Sequence, residues 1–300
     1  MKELITRIIV AAVGIPLAIL VIHTGSYLFL GIISVISTLA LWEFYNMAHK
    51  NNLHPRRYEG IIAGLIILIS FFVPAFFNSF YWLYALLMVL VLELMITEMF
   101  TKKPNSMGNI GATIMGLVYV SLPFASILGI RQFNEIQSIL VQTSNPFSSV
   151  SASIIPQLMS STACGWLVLS VFMSVWICDS SAYFVGKSFG KHKLFPRISP
   201  KKSWEGAIGG FFGAILGFYL SAYFLIPHFP IFYAVICGII VGTLGQTGDL
   251  AESLLKRESG VKDSSSLIPG HGGILDRFDS ILFAMPSVLV FLVLCVLFSL

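Results

Sequence analysis

Two short stretches hold the residue types that handle phosphate and a hard cation. In TGDLAESLLKR, Asp249, Glu252, Ser253 and Lys256 stand at i, i+3, i+4 and i+7. On a helix that spacing gathers two acids, a hydroxyl and a cation on one face. After Gly260 the chain reads VKDSSSLIPGHGGILDRFDS, dense in Ser, Pro and Gly. Gly270, Gly272 and Gly273 permit backbone conformations closed to other residues, and successive amides there can form a nest for phosphate oxygens, with His271 between the glycines. Asp276 and Asp279 follow in the first turns of a helix whose positive dipole end favours anions, and both can face Asp249. Carboxylates brought together near phosphate suit Mg2+, which prefers oxygen ligands and keeps several waters.

A basic stretch, KSFGKHKLFPRISPKKSWEG, carries six Lys or Arg from Lys187 to Lys202. Beside a carboxylate site it suits a triphosphate or an anionic lipid head group, and it also serves as a membrane anchor. Ser203 is placed to cap the helix that follows. Asp179, Tyr183 and Lys187, four residues apart, form a stripe of acid, phenol and cation. The segment VGKS resembles the end of a Walker A motif, but Ser181 stands where the first glycine belongs and no strand precedes it, so a P-loop is rejected. Glu43, Glu93 and Glu98 lie in or near the ends of apolar helices, where such acids cap, pair or line a cavity. His23, His49, His54, His192 and His228 have no partner spacing. Cys164, Cys178, Cys237 and Cys295 all fall in apolar stretches without CxxC spacing and read as packing residues.

The elements that must position these groups follow from composition. Hydrophobic residues make up 56% of the 300-residue chain and charged residues 11%, against roughly 25% charged in soluble domains. Apolar stretches of about 20 residues, enough to cross a bilayer, recur near 4–23, 27–48, 60–78, 81–100, 108–130, 162–187, 206–226, 229–248 and 274–298. The chain is therefore expected to be an all-α polytopic membrane protein of about nine transmembrane helices. The first stretch lacks a cleavage site and reads as an uncleaved helix. With the N-terminus cytoplasmic, 17 of the 18 Lys and Arg fall on the cytoplasmic side, only Arg131 lies outside, and the C-terminus is external. Three parts are expected: a five-helix scaffold over residues 1–131, an external loop with some interfacial helix over 132–161, and a four-helix catalytic membrane domain over 162–300. Gly209, Gly213 and Gly217 put small residues on one helix face, which lets a neighbour approach closely.

The net charge of +4 does not point to nucleic acid, because membrane topology accounts for the basic residues. An ion-coupled transporter would carry acids near the bilayer midplane, whereas these cluster at one edge beside a glycine-rich loop.

The run SLLKRESGVKDSSSLIPGHGGILDRFD, from Ser253 to Asp279, resembles the signature of phosphatidate cytidylyltransferases, also called CDP-diacylglycerol synthases. It shows Ser253, the Lys256–Arg257 and Lys262–Asp263 pairs, Pro269, HGG at His271 to Gly273, and DRFD at Asp276 to Asp279. The likeness extends through CDSSAYFVGKSFGKHKLFPRISPKKSWEG and GDLAES, over roughly the last 125 residues. It implies a multi-pass, homodimeric enzyme of the bacterial cytoplasmic (inner) membrane that uses Mg2+ with a second monovalent cation, K+. The implied reaction joins CTP and phosphatidic acid to give CDP-diacylglycerol and pyrophosphate. The implied metal ligands are Asp249 and Asp276, and these act with Lys256, Arg257, Lys262, Asp263 and His271 as catalytic groups. Lys202, Ser203, Glu205, Ser253, Gly272, Gly273, Arg277 and Asp179 are the implied substrate-binding residues. A CTP-dependent kinase of polyprenols or other lipid alcohols is the nearest alternative chemistry. A CDP-alcohol phosphotransferase is excluded, since the chain has no DGxxAR run and no Asp-Gly pair.

Overall fold

The computed structural model describes residues 14, 16–73, 80–144, 160–267 and 272–298. Nine helices, α1 to α9, carry nearly all of that structure. They are α1 (Ser26–Lys50), α2 (Arg57–Phe72), α3 (Phe80–Met99), α4 (Ser106–Arg131), α5 (Phe133–Ser144), α6 (Ser161–Phe189), α7 (Trp204–Leu225), α8 (Ile231–Glu258) and α9 (Leu275–Phe298). Residues 16–24 are also helical. Six of these, α1, α4 and α6 to α9, are long and apolar enough to cross a membrane. A helix meets its own backbone hydrogen-bonding needs, which suits a chain with so little water-facing polarity. Leu87, Leu92, Met95, Phe212, Leu216 and Phe224 point outward. Water would penalise such an apolar surface, and hydrocarbon would not.

The basic stretch between α6 and α7 contains a short antiparallel hairpin, β1 (Lys193–Phe195) and β2 (Ser199–Ser203), with Lys193 opposite Ser203. It turns the chain back so that α7 packs along α6. Gly209 and Gly217 face Val185 and Ile177, where an added methyl would lie 2.6 and 2.9 Å from those side chains, so the small-residue face does permit close approach. All four cysteines are buried, and none forms a disulfide among the described residues. The Ser- and Gln-rich stretch after Arg131 begins with α5, whose Phe133 and Ile136 are buried; the rest of that stretch, 145–159, lies outside the described residues.

Two helices change pitch. A π turn at Leu117–Ser121 in α4 comes just before Pro123, which has no N–H for the ladder, and another at Val241–Gly245 in α8 comes just before Gln246 and Asp249. The helix ends then meet at one end of the bundle. Asn51 after α1 donates to Ser259 after α8 (3.2 Å), and Arg56 before α2 donates to Glu98 at the end of α3 (3.1 Å). Glu98 also accepts from Asn109 of α4 (2.7 Å). Arg131 closes the opposite end, donating to the backbone of Ile22 and Ser161 (3.1 and 2.7 Å).

Candidate active site

The site forms where α6, the β1–β2 hairpin and the starts or ends of α7, α8 and α9 converge. A cavity of about 360 Å³ is lined by Asp179, Tyr183 and Lys187 of α6, Lys201, Lys202 and Ser203 of the hairpin, and Gln246 and Asp249 of α8. The stripe of Asp179, Tyr183 and Lys187 on α6 thus faces one space, because helical residues four apart share a side. Ser203 caps α7 by accepting from the Gly206 amide (3.2 Å). Gln246 donates to the carbonyls of Ala207 and Gly242 (3.0 and 2.6 Å), which fixes α8 against α7 one residue past the π turn.

Across the cavity Lys202 Nζ lies 2.6 Å from Asp249 Oδ2. Among the described residues the other Asp249 oxygen receives one long bond, from Ser253 (3.4 Å). One turn further along α8, Glu252 and Lys256 pair at 2.6 Å, and the same ammonium lies 2.6 Å from Asp276 Oδ1 at the start of α9. The face read from spacing therefore serves two partners: Asp249 turns to the hairpin and Lys256 to α9. Glu252 is fully buried, and its Oε1 has no hydrogen-bond partner among the described residues.

Asp276 organises the loop before α9. Its Oδ2 accepts from the amides of Ser264 and Gly273 (2.9 and 2.7 Å) and from the Ser264 hydroxyl (3.0 Å). The Gly273 amide, expected to face a phosphate, is directed at this carboxylate in the structure. Gly272 takes a φ of +79°, and a methyl there would meet Asp276 Oδ2 at 2.8 Å, so glycine is required. His271, Gly270 and Pro269 lie outside the described residues.

Asp276 and Asp249 are each occupied by a lysine. Asp179, Asp249 and Asp279 are near enough for their charges to act on one another, and Asp279 accepts from the Ser280 amide (2.6 Å). Other expected site residues stand at the margin. Glu205 holds His192 (2.6 Å) rather than lining the cavity, and Arg257 donates to the carbonyls of Ile198 and Val261 (both 3.4 Å). Lys262 and Asp263 are exposed on the loop.

Arg277 stands beside a second, apolar cavity of about 380 Å³, lined by Leu17, Ile33, Leu169, Phe172, Trp176 and Phe278 among others. Trp176 precedes Asp179 on α6 by one turn, and the charges of Asp179 and Arg277 act on each other. The lysine-lined cavity and the apolar cavity therefore have lining residues one turn apart on α6.

One residue of the region is not among the expected site residues. Glu43, in an otherwise apolar stretch of α1, is buried against the loop before α9 and accepts from Ser264, Ser265, Ile274 and Leu275. An acid amid apolar residues was the sole local sign of it. Glu98 is the pairing acid, with Arg56, and Glu93 lines an apolar groove with Glu59.

A profile of the cytidylyltransferase family matches residues 5–295. A protein named phosphatidate cytidylyltransferase in Synechocystis is 34% identical over 296 residues, covering 96% of this chain and 96% of the relative. Its namesake in Bacillus subtilis is 30% identical over 298 residues, covering 95% and 96%. In Haemophilus influenzae a protein of the same name is 50% identical over 125 residues, covering 40% of this chain and 43% of the relative.

Proposed function

The chain belongs to the cytidylyltransferase family, and on that premise we propose that it transfers the cytidylyl group of CTP to phosphatidic acid at the cytoplasmic face of the bacterial inner membrane. The observation that carries this reading is a cavity lined by Asp179, Lys187, Lys201 and Lys202 one helical turn along α6 from an apolar cavity lined by Trp176 and Arg277. CTP is soluble in water, whereas the acyl chains of phosphatidic acid stay in the bilayer, so a shared site needs both environments side by side.

In the proposed reaction an oxygen of the lipid phosphate attacks the α-phosphorus of CTP. The new O–P bond forms as the α–β bridging bond breaks, and pyrophosphate leaves with that electron pair. The nucleophile is already anionic, since phosphate monoesters lose their second proton near pH ~6, so the barrier is charge repulsion and alignment. Lys187, Lys201 and Lys202 line the nucleotide side of the cavity and offset phosphate charge. Lys256, 2.6 Å from both Glu252 and Asp276, offsets part of the carboxylate charge beside the site.

Among the described residues no three His, Cys, Asp or Glu side chains meet closely enough to hold an ion alone. Mg2+ nonetheless fits, because it is held by one or two carboxylates with water and substrate phosphate completing its shell. Asp249 fits directly through its lightly bonded oxygen, and Asp276 fits through Oδ1 once Lys256 yields that oxygen. When bound, the ion supplies charge neutralisation for the departing pyrophosphate. A monovalent K+ beside it, nine membrane spans with a cytoplasmic N-terminus, and a homodimer belong to the same reading.

The deciding experiment incubates the detergent-purified protein with phosphatidic acid, Mg2+ and CTP labelled at the α- or the γ-phosphate. Label from the α position is expected in the lipid, and chelation is expected to stop its entry. Lipid labelled from the γ position alone would mean phosphoryl transfer instead. Arg277→Ala is expected to raise the KM for phosphatidic acid roughly 10- to 100-fold, the value of a hydrogen bond to a charged group, with the KM for CTP little changed. Equal increases in both would place Arg277 on the nucleotide.

A further inference from the structure

The first N–H groups of helix α9 need acceptors; the residue preceding Leu275 is Ile274, whose carbonyl accepts from the Arg277 amide (3.0 Å) but whose side chain has no acceptor. Glu43 supplies the acceptors from α1, more than 200 residues away: Oε1 accepts from the Ile274 amide (3.0 Å) and Oε2 from the Leu275 amide (2.9 Å). The same two oxygens accept from the hydroxyls of Ser265 (2.6 Å) and Ser264 (2.8 Å). Three of these donors belong to the segment that joins α8 to α9, and the fourth, Leu275, opens α9.

Glu43 is only 3% exposed, and burying a carboxylate is costly unless donors surround it. A neutral side chain would satisfy two helix amides more cheaply, so a charge at this point asks for a further reason. That reason lies one hydroxyl away. Ser264 Oγ sits 2.8 Å from Glu43 Oε2 and 3.0 Å from Asp276 Oδ2, and its single proton can serve only one of them fully. The serine therefore couples the two acids. Gly273 sits at their junction, where a methyl would strike both the Ser264 hydroxyl and Glu43. Asp276 in turn holds Lys256, so the chain of contacts runs from α1 to the cation of α8.

We infer that Glu43 is a positioning residue of cytidylyl transfer: delivered from α1, it pins Ser264, Ser265 and the first turn of α9, and so sets the place of Asp276 and Lys256. The inference rests on the reaction proposed above. It gives the N-terminal helices a part in the chemistry without contact to substrate.

The test compares wild type, Glu43→Gln, Ser264→Ala and Ser265→Ala, each purified in detergent and checked for folding by thermal unfolding. Glu43→Gln keeps the shape and replaces one accepting oxygen by an NH2 group that cannot accept. Its kcat is expected to fall roughly 10- to 100-fold, as a displacement near 1 Å does, and its KM for CTP to rise about ten-fold, equivalent to 1.4 kcal/mol. The two serine variants are expected to shift the same constants by smaller factors. Loss of folded molecules lowers kcat but moves neither KM, so a fall in kcat with unchanged KM values overturns the inference. Unchanged constants in folded Glu43→Gln overturn it as well. Should that variant fail to fold, the serine variants decide, and wild-type constants in both sink the idea. Absence of α-label transfer by wild type overturns the reaction itself, and the inference with it.

Discussion

Asp249→Asn is expected to leave the helices assembled and to lower kcat on the order of 1,000-fold, the scale at which a charge-stabilising group at a transition state is lost. Asp249 is 31% exposed toward the cavity and its partner Lys202 is 30% exposed, so the broken pair costs at most about 1 kcal/mol of stability. Asn keeps the shape and the contact with Ser253 while removing the charge that would hold a divalent ion. The loss should therefore appear in turnover and in the Mg2+ concentration needed for half-maximal rate, with thermal unfolding nearly unchanged. Near-normal turnover by the well-folded variant would remove Asp249 from the mechanism.

Lys256→Ala is expected to have the largest effect on stability. Its ammonium is the shared partner of Glu252 and Asp276, whose side chains are 0% and 6% exposed. Removing one partner of a buried pair leaves an uncompensated charge and costs about 3–5 kcal/mol. Two acids lose their partner here, although Asp276 keeps its three loop donors and Glu252 keeps none. The variant should unfold at a clearly lower temperature in detergent and be inactive. Combining Lys256→Met with Glu252→Gln removes the stranded charge, so much of the stability should return while transfer stays absent. If activity returned along with stability, Lys256 would be a structural cation alone.

The two variants separate the Lys202–Asp249 pair from the cluster of Lys256 with Glu252 and Asp276. Spacing placed Asp249, Glu252, Ser253 and Lys256 on one face, and the i, i+4 contacts of Asp249 with Ser253 and of Glu252 with Lys256 both form. That face divides because α8 lies between two neighbours: Asp249 meets β2 while Lys256 meets α9. The π turn at Val241–Gly245 lies immediately before this stretch, and nothing in VGTLG announces it.

Everything legible in the chain was a matter of near neighbours. Apolar runs long enough to span a bilayer, the glycine face of α7, the Ser203 cap, the stripe on α6 and the signature around Asp276 all depend on residues a few positions apart, where helix geometry converts spacing into direction. The long-range joins were not legible. Glu43 reaching the first turn of α9, Lys202 reaching Asp249 and Lys256 reaching Asp276 depend on where separate helices cross and how each is rotated. A buried carboxylate has no local pattern that names its donors; the packing of the bundle chooses them, because only there does leaving them unpaired carry a cost.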